Sequence, residues 1–464
     1  GNGETEHWDR RGDFNAGGRG GIFELYDWAG NRIWHYQIAD NLFHAHHDMA
    51  LLPNGNFLCL VWEKKTQQVA QSKGRKYIGE VWSESIWEIE ISSNNQANVV
   101  WQWSVWDHLI QNHNPTADSY GTVSNHPELL DINYIGSGES TSGDWLHING
   151  ISYNESLDQI AISSRNLSEV YIIDHSTSTA ESASHIGGMY GKGGDILYRY
   201  GNPQVFQNGN EDDQILFRPH NIDWVQDGTW KNHFSVFNND YIPNTRSQAL
   251  VWNNPAEENG QYQYTSGIGY GNEEILRSYS ENGFYSSILS SVQVMPNDNL
   301  LMLEGKSGVI TEVNTDNEVV WLYIYPVNKN GGPGIQSGTP LFNSLFRAIR
   351  YPRDFIGFEG KDLSPTVPIE LSPNNYICDT NIISSATIIK NNDPYIVHGN
   401  PTSDRLWIES FTNSETSGYL IDLMGRVTKE FSIQIGLHSY SIGTLRKGAY
   451  ILLLNSESML LVIE

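Results

Sequence analysis

His47-Asp48-Met49-Ala50-Leu51-Leu52-Pro53-Asn54-Gly55-Asn56-Phe57-Leu58 sets out a plan that the chain repeats. A polar start opens a strand, Pro53-Asn54-Gly55 reverses the backbone because Asn-Gly accepts the conformations of a tight hairpin, and an apolar strand returns. The plan recurs from His147 to Tyr153 with the turn Asn154 to Asp158, from His220 to Val225 with Gln226-Asp227-Gly228, and from Ser290 to Met295 with Pro296-Asn297-Asp298. A second unit, a strand hairpin, recurs as Ile86 to Ile91 with Val99 to Trp103, Val309 to Val313 with Val319 to Tyr323, and Ile22 to Tyr26 with Ile33 to Tyr36. Helical periodicity is scarce. Self-similar hairpins spread along one chain predict blades repeated about an axis. If each polar start opens the innermost strand of a successive blade, His47, His147 and His220 face one central channel, and Ser290 holds the fourth such position.

The chain has 464 residues, with 28 Lys and Arg against 54 Asp and Glu and a formal net charge of −26. Nonspecific nucleic-acid binding is excluded, because phosphate backbones are held by clustered cations. At 12% aromatic and 18% charged residues the composition is that of a folded protein. No window approaches the roughly 18 apolar residues that a membrane helix needs. The start Gly1-Asn2-Gly3-Glu4 is no signal peptide, so an export leader, if there was one, is expected to have been removed. Cys59 and Cys378 can form neither a disulfide framework nor a Cys-x-x-Cys metal site.

From about Tyr395 the pattern changes to short alternating strands with tight turns, which predicts a small β-sandwich. The expected organisation is all-β: a six-bladed propeller over 1–355, a connector over 356–394 and a C-terminal sandwich over 395–464.

The residues His46-His47-Asp48 before Leu52-Pro53-Asn54-Gly55-Asn56, Asp144-Trp145-Leu146-His147-Ile148-Asn149, Ser163-Ser164-Arg165-Asn166 and Pro219-His220-Asn221 resemble the bacterial aryl-sulfate sulfotransferase family. The resemblance covers the central 350 residues or so and implies a six-bladed propeller that uses no nucleotide sulfate donor and no cofactor. It further implies that His220 is the nucleophile that carries sulfate and that His47, His147, Asn149 and Arg165 line the same site. This chain has Pro219-His220-Asn221 where relatives have Gln-His-Asp, and Arg347-Ala348-Ile349-Arg350 where they have Arg-Ala-His-Arg. It also begins where relatives have completed a strand-rich stretch, so part of an N-terminal blade is expected to be missing. Asn400-Pro401-Thr402-Ser403-Asp404 and Gly448-Ala449-Tyr450 resemble the sorting domain of the type IX secretion system, which implies that machinery as a partner and an address outside the outer membrane, secreted or held at the cell surface.

Sulfuryl transfer from a phenolic sulfate donor to a phenol acceptor needs a nucleophile, holders for three nonbridging oxygens and an acid for the departing phenolate. Imidazole can serve as nucleophile or acid near neutral pH, and the guanidinium fork suits sulfuryl oxygens. With the resemblance, the expected catalytic set is His220 as nucleophile, Arg165 with Asn149 as oxyanion holders, and His147 or His47 as acid and then base. Asn149, Asn221, Ser290, Trp145, Tyr285 and Arg347 are assigned to substrate binding, with Trp62, Trp224, Phe284 and Phe346 as further candidates for an aryl wall or for the core. A transition metal on His44, His46, His47 and Asp48 is set aside, because strand alternation sends His46 and His47 to opposite faces, and no metal is assigned. The glycine-rich run 187–193 lacks phosphate-loop spacing and reads as a turn. Two rival readings stay open: a lyase or hydrolase of anionic polysaccharide, and a noncatalytic surface adhesin.

Overall fold

The structure is a computed structural model that describes residues 14, 16–92, 96–136, 143–266, 269–270, 273–329, 331–334, 342–364, 367–371, 395–398, 405–410, 416–422, 426–434, 436–442, 445–454 and 457–463. A two-stranded hairpin, β1 (Ile22–Tyr26) and β2 (Arg32–Gln37), precedes the first four-stranded antiparallel sheet, β3 (Phe43–Leu51), β4 (Phe57–Lys65), β5 (Val81–Ser92) and β6 (Gln96–Ser104). After a short parallel pair, β7 (Leu109–Ile110) and β8 (Leu130–Asp131), three more such sheets follow. They are β9 (Ile148–Asn154), β10 (Gln159–Ser164), β11 (Glu169–Asp174) and β12 (Tyr198–Tyr200); β13 (Pro219–Trp224), β14 (Phe234–Ile242), β15 (Arg246–Trp252) and β16 (Ile275–Tyr279); and β17 (Ser291–Val294), β18 (Leu300–Glu304), β19 (Val309–Val313) and β20 (Val319–Ile324).

Each sheet runs outward in chain order, and the first strands pack side by side: β3 on β9, β9 on β13, β13 on β17. The sheets stack face to face. Leu58, Leu60 and Ile86 of the first meet Ile148, Ile151 and Ile160 of the second; Ala161 and Ile172 of the second meet Ile222, Val236 and Leu250 of the third; Phe237 and Val251 of the third meet Val292, Leu300 and Met302 of the fourth. A strand covered on both faces needs apolar residues at consecutive positions, which is why β4 opens Phe57-Leu58-Cys59-Leu60-Val61-Trp62, all buried. The far face of the first sheet, through Phe57, Cys59 and Val61, takes Trp34 and Ile38 of the β1–β2 region. The fold is an all-β propeller. Four four-stranded sheets and the β1–β2 hairpin are seen among the described residues of the propeller part, so six blades stays an expectation of the resemblance.

The free edge of β17 is lined by the segment after β20. Ala348 N–H donates to Ser291 Oγ (3.1 Å) and Arg350 N–H to Gln293 Oε1 (2.8 Å). The guanidinium of Arg347 then reaches the Asp48 carboxylate on β3. On β3 itself, Gly21 N–H donates to Ala45 O (2.9 Å) and His47 N–H to Gly18 O (2.7 Å). The first and fourth sheets are thus joined by side chains and short irregular segments.

The tail forms a three-stranded sheet, β21 (Tyr395–His398), β22 (Arg405–Ser410) and β25 (Gly436–Ser441), and a four-stranded one, β23 (Thr416–Asp422), β24 (Val427–Ile433), β26 (Gly448–Leu454) and β27 (Glu457–Ile463). Leu406 and Ile408 of one face Leu420, Ile433, Leu452 and Leu461 of the other in a separate core, the arrangement of a β-sandwich. The motif Asn400 to Asp404 and the turn residues Ser93 to Asn95 lie outside the described residues.

Candidate active site

Equivalent ends of the inner strands depart from regular pleating. Register breaks fall between His46 and Met49 in β3, between Ile148 and Gly150 in β9, and between His220 and Asp223 in β13. Left-handed backbone accompanies them at His47 (φ 51°), His147 (φ 51°) and Asn221 (φ 55°), and Ser290 before β17 also has positive φ (93°). Such a conformation costs a nonglycine residue about 1 kcal/mol or more and persists where the surroundings enforce it, often to re-aim a side chain. The bulge also overturns the argument from alternation. His46 and His47 are not on opposite faces, since their Nδ1 atoms lie 2.9 Å apart.

His220 is buried, and its Nδ1 lies 2.7 Å from Asn239 Oδ1 on the neighbouring strand β14. The Asn239 amide nitrogen donates to Ser286 O (2.7 Å) and Leu289 O (3.2 Å), which fixes which end of the amide faces the ring. Its oxygen can only accept, so Nδ1 of His220 is the donor and the lone pair falls on Nε2. Burial, and then the positive charge of Arg165, hold the pKa down to about 3 against the hydrogen bonds of Asn239 and the Arg218 backbone, with His147 adding to the lowering. The ring is neutral at neutral pH, with one nitrogen in a nucleophilic tautomer.

His147 and His47 meet edge to face, with ring centres 4.5 Å apart. The Asp144 carboxylate accepts from His147 Nδ1 at 2.5 Å, which orients the ring and leaves Nε2 for chemistry. Burial, then the charges of His147, His46, His220 and Arg165, hold His47 well below the ordinary imidazole value. Behind it, His46 stacks on Trp62 with centres 4.0 Å apart and a 7° interplanar angle. His46 Nε2 sits 2.9 Å from Glu84 Oε2, off the direction of a good hydrogen bond. Glu84 Oε1 in turn accepts from Trp62 Nε1 (3.1 Å) and Ile148 N–H (3.0 Å). Gly18 packs directly on His47: a Cβ there, at φ 81°, would fall 2.1 Å from Nε2.

Arg165 is partly buried at the inner end of the second sheet, where its N–H donates to His147 O (3.1 Å) and its guanidinium to Asn166 Oδ1 (3.2 Å). Its charge acts on both His47 and His220. The structure therefore brings His47, His147, His220 and Arg165 into one cluster. The other expected residues have other partners. Asn149 donates to Pro219 O (2.9 Å) and accepts from Ser163 Oγ (2.8 Å), Asn221 Oδ1 accepts from Val292 N–H (3.0 Å), and Asp48 Oδ2 accepts from Ile151 N–H (3.0 Å), so these side chains staple one inner strand to the next. Ser290 Oγ accepts from Gly305 N–H (3.0 Å) and donates to Ile288 O (3.2 Å). Trp145 lies in the core with its indole N–H on Tyr134 O (3.1 Å). Tyr285 is half-buried, its hydroxyl on Asp240 Oδ1 (3.1 Å), and Arg347 is the partner of Asp48. Trp224 and Phe284 are core residues. Asn239, Asp144, Glu84, His46 and Gly18 were not singled out by the sequence as members of the site.

A family model described as Arylsulfotransferase (ASST) matches residues 11–329. Comparison with curated proteins returned no match. Among solved structures, a protein of unknown function from Bacteroides caccae is similar at 11% identity and a TM-score of 0.32, over 65% of this chain and 74% of that one. The periplasmic gluconolactonase PpgL of Pseudomonas aeruginosa is similar at 10% identity and a TM-score of 0.33, over 90% and 78%. Virginiamycin B lyase from Staphylococcus aureus follows at 9% identity and a TM-score of 0.24, over 66% and 84%. At these scores none of the three bears on what the chain does.

Proposed function

Because the chain belongs to the arylsulfotransferase family, we propose that it moves a sulfuryl group from a phenolic sulfate ester to a phenol by way of a sulfohistidine on His220. The observation that carries this reading is the Asn239 contact, which holds Nδ1 as donor and gives Nε2 its lone pair in the field of Arg165. In the first half-reaction the Nε2 lone pair attacks sulfur and the bond from sulfur to the aryl oxygen breaks. That electron pair stays on the phenolate, which takes a proton from His147. Arg165 donates to the nonbridging oxygens; donors aimed at developing charge are commonly worth about 3 kcal/mol each. In the second half-reaction the acceptor phenol gives its proton to His147, its oxygen attacks sulfur, and the bond to Nε2 breaks with return of the lone pair. His147 suits the acid and base role better than His47, because Asp144 backs it while its neighbours disfavour charge on His47.

The test is mass spectrometry of the intact protein after brief mixing with 4-nitrophenyl sulfate, with nitrophenol release followed in parallel. A gain of one sulfuryl group, lost on adding phenol and absent from His220→Asn, is expected. Nitrophenol release that survives His220→Asn would remove His220 from the role. We further propose export through the type IX system, on the resemblance of Asn400 to Asp404 and Gly448-Ala449-Tyr450. Removal of 395–464 should then retain the protein inside the outer membrane, and unchanged release would reject that address.

A further inference from the structure

Among the described residues, one group of His and carboxylate side chains has its ligand atoms close enough to share a metal ion: His108, His185 and Asp195, all within 4.8 Å of one another. It lies beyond the end of β6, where the segment carrying Ser182, His185 and Asp195 folds back on Trp103 and His108, and Trp103 Nε1 donates to Gly194 O (2.7 Å). Asp195 Oδ1 is 2.8 Å from His108 Nδ1 and 2.7 Å from His185 Nδ1, so one carboxylate oxygen is shared by two imidazoles. The other nitrogen of His108, Nε2, faces Ser182 O at 2.8 Å. A ring N–H on a backbone carbonyl, opposite the ligating nitrogen, is the support that metal-binding histidines usually have. The side chain of His108 is fully buried, that of Asp195 is 9% exposed and that of His185 is 60% exposed, so two ligands are rigid and the third opens to water.

We propose that His108 Nδ1, His185 Nδ1 and Asp195 Oδ1 bind one divalent cation of the zinc class, with water as the fourth ligand. Two imidazoles and a carboxylate are a borderline donor set that suits zinc. At metal-ligand distances of about 2.1 Å, tetrahedral ligands stand about 3.4 Å apart, so the Asp195 oxygen, 2.8 and 2.7 Å from the two nitrogens, need draw back from each by only about 0.7 Å. Ligation needs a bare nitrogen, so each imidazole presents an unprotonated Nδ1 to the ion, and the Ser182 carbonyl holds the outer N–H of His108. The ion clips the 182–195 segment to the end of β6.

The test is calorimetric titration of the chelator-treated full chain with zinc chloride, beside a cobalt titration followed in the visible. One equivalent bound and the d–d bands of four-coordinate cobalt are expected. His185→Gln should abolish both; His185 is exposed, so the variant keeps its fold, and a thermal melt checks this. No stoichiometric uptake would overturn the proposal. So would uptake that persists in His185→Gln, and loss of that residual uptake in His147→Asn would put the ion on the central histidines. Sulfuryl transfer is not part of the readout, so failure here leaves that reading standing.

Discussion

Asn239 turns an oxygen to Nδ1 of His220, and replacing that amide by a carboxylate tests what the contact does. Asn239→Asp places negative charge 2.7 Å from Nδ1 and raises the His220 pKa from about 3. In the wild type, sulfation by an excess of donor should stay flat toward acid until about pH 4, since the ring charges only near 3. In the variant the acid limb should move up by a pH unit or more, and a rapid-quench profile that does not move would show that His220 does not set it. Gly18→Ala is the second test at this scale. The added carbon collides with the His47 imidazole, so turnover should fall about 10-fold or more, while a melt shows a loss of only about 1–2 kcal/mol. Wild-type turnover in a folded variant would take His47 out of the chemistry. The histidines were legible in the sequence because repeat register exposes them. Asn239 was not, because it lies one strand away in β14 and its importance comes from a contact across the sheet. His46 was misread for a local reason: a bulge cancels the period of two that places alternate side chains on opposite faces.

Among the elements, β18 carries a buried acid at its inner end. Glu304 accepts from Tyr285 N–H (2.8 Å), and burial pushes its pKa up to about 8, far above an unfolded carboxyl. The unfolded chain releases this proton at a lower pH than the folded one, so stability is fullest below about pH 4.5 and is lost as pH rises through 8. Glu304→Gln keeps the acceptor and removes the titration. Its melting free energy at pH 8 should exceed the wild type's by about 4 kcal/mol, with little difference near pH 4.5; equal gains at both values would count against this origin. The outer hairpins β5–β6 and β19–β20, and the inner strands after each polar start, could be read from turn residues alone. The short β12 could not, since three residues separated from β11 by a long connection give no periodic signal. Trp145 shows the same limit from the other side: neighbours in sequence of a site residue can still point into the core.

Over the whole molecule, a net charge of −26 repels an anionic donor, while Arg165 supplies local attraction inside the ring. Surface charges are screened within about 10 Å at 0.1 M salt, and buried ones much less. Raising salt from about 10 to about 150 mM should therefore raise kcat/KM for an aryl sulfate, and a steady fall would mean that a positive funnel outweighs the global field. Fold class was legible at this scale because repeats multiply one local signal, whereas the number of blades was not, since irregular joints between sheets leave no repeat to count. Those joints have a kinetic meaning. The first and fourth sheets meet through Arg347 on Asp48, next to the reacting groups, while the stacked interfaces between successive sheets are broad and apolar. Such a ring opens first at its latch. In rising urea, transfer activity should disappear before tryptophan fluorescence reports loss of the sheets, and Arg347→Ala should widen the gap between the two transitions, so that the enzyme is switched off while most of its architecture still stands.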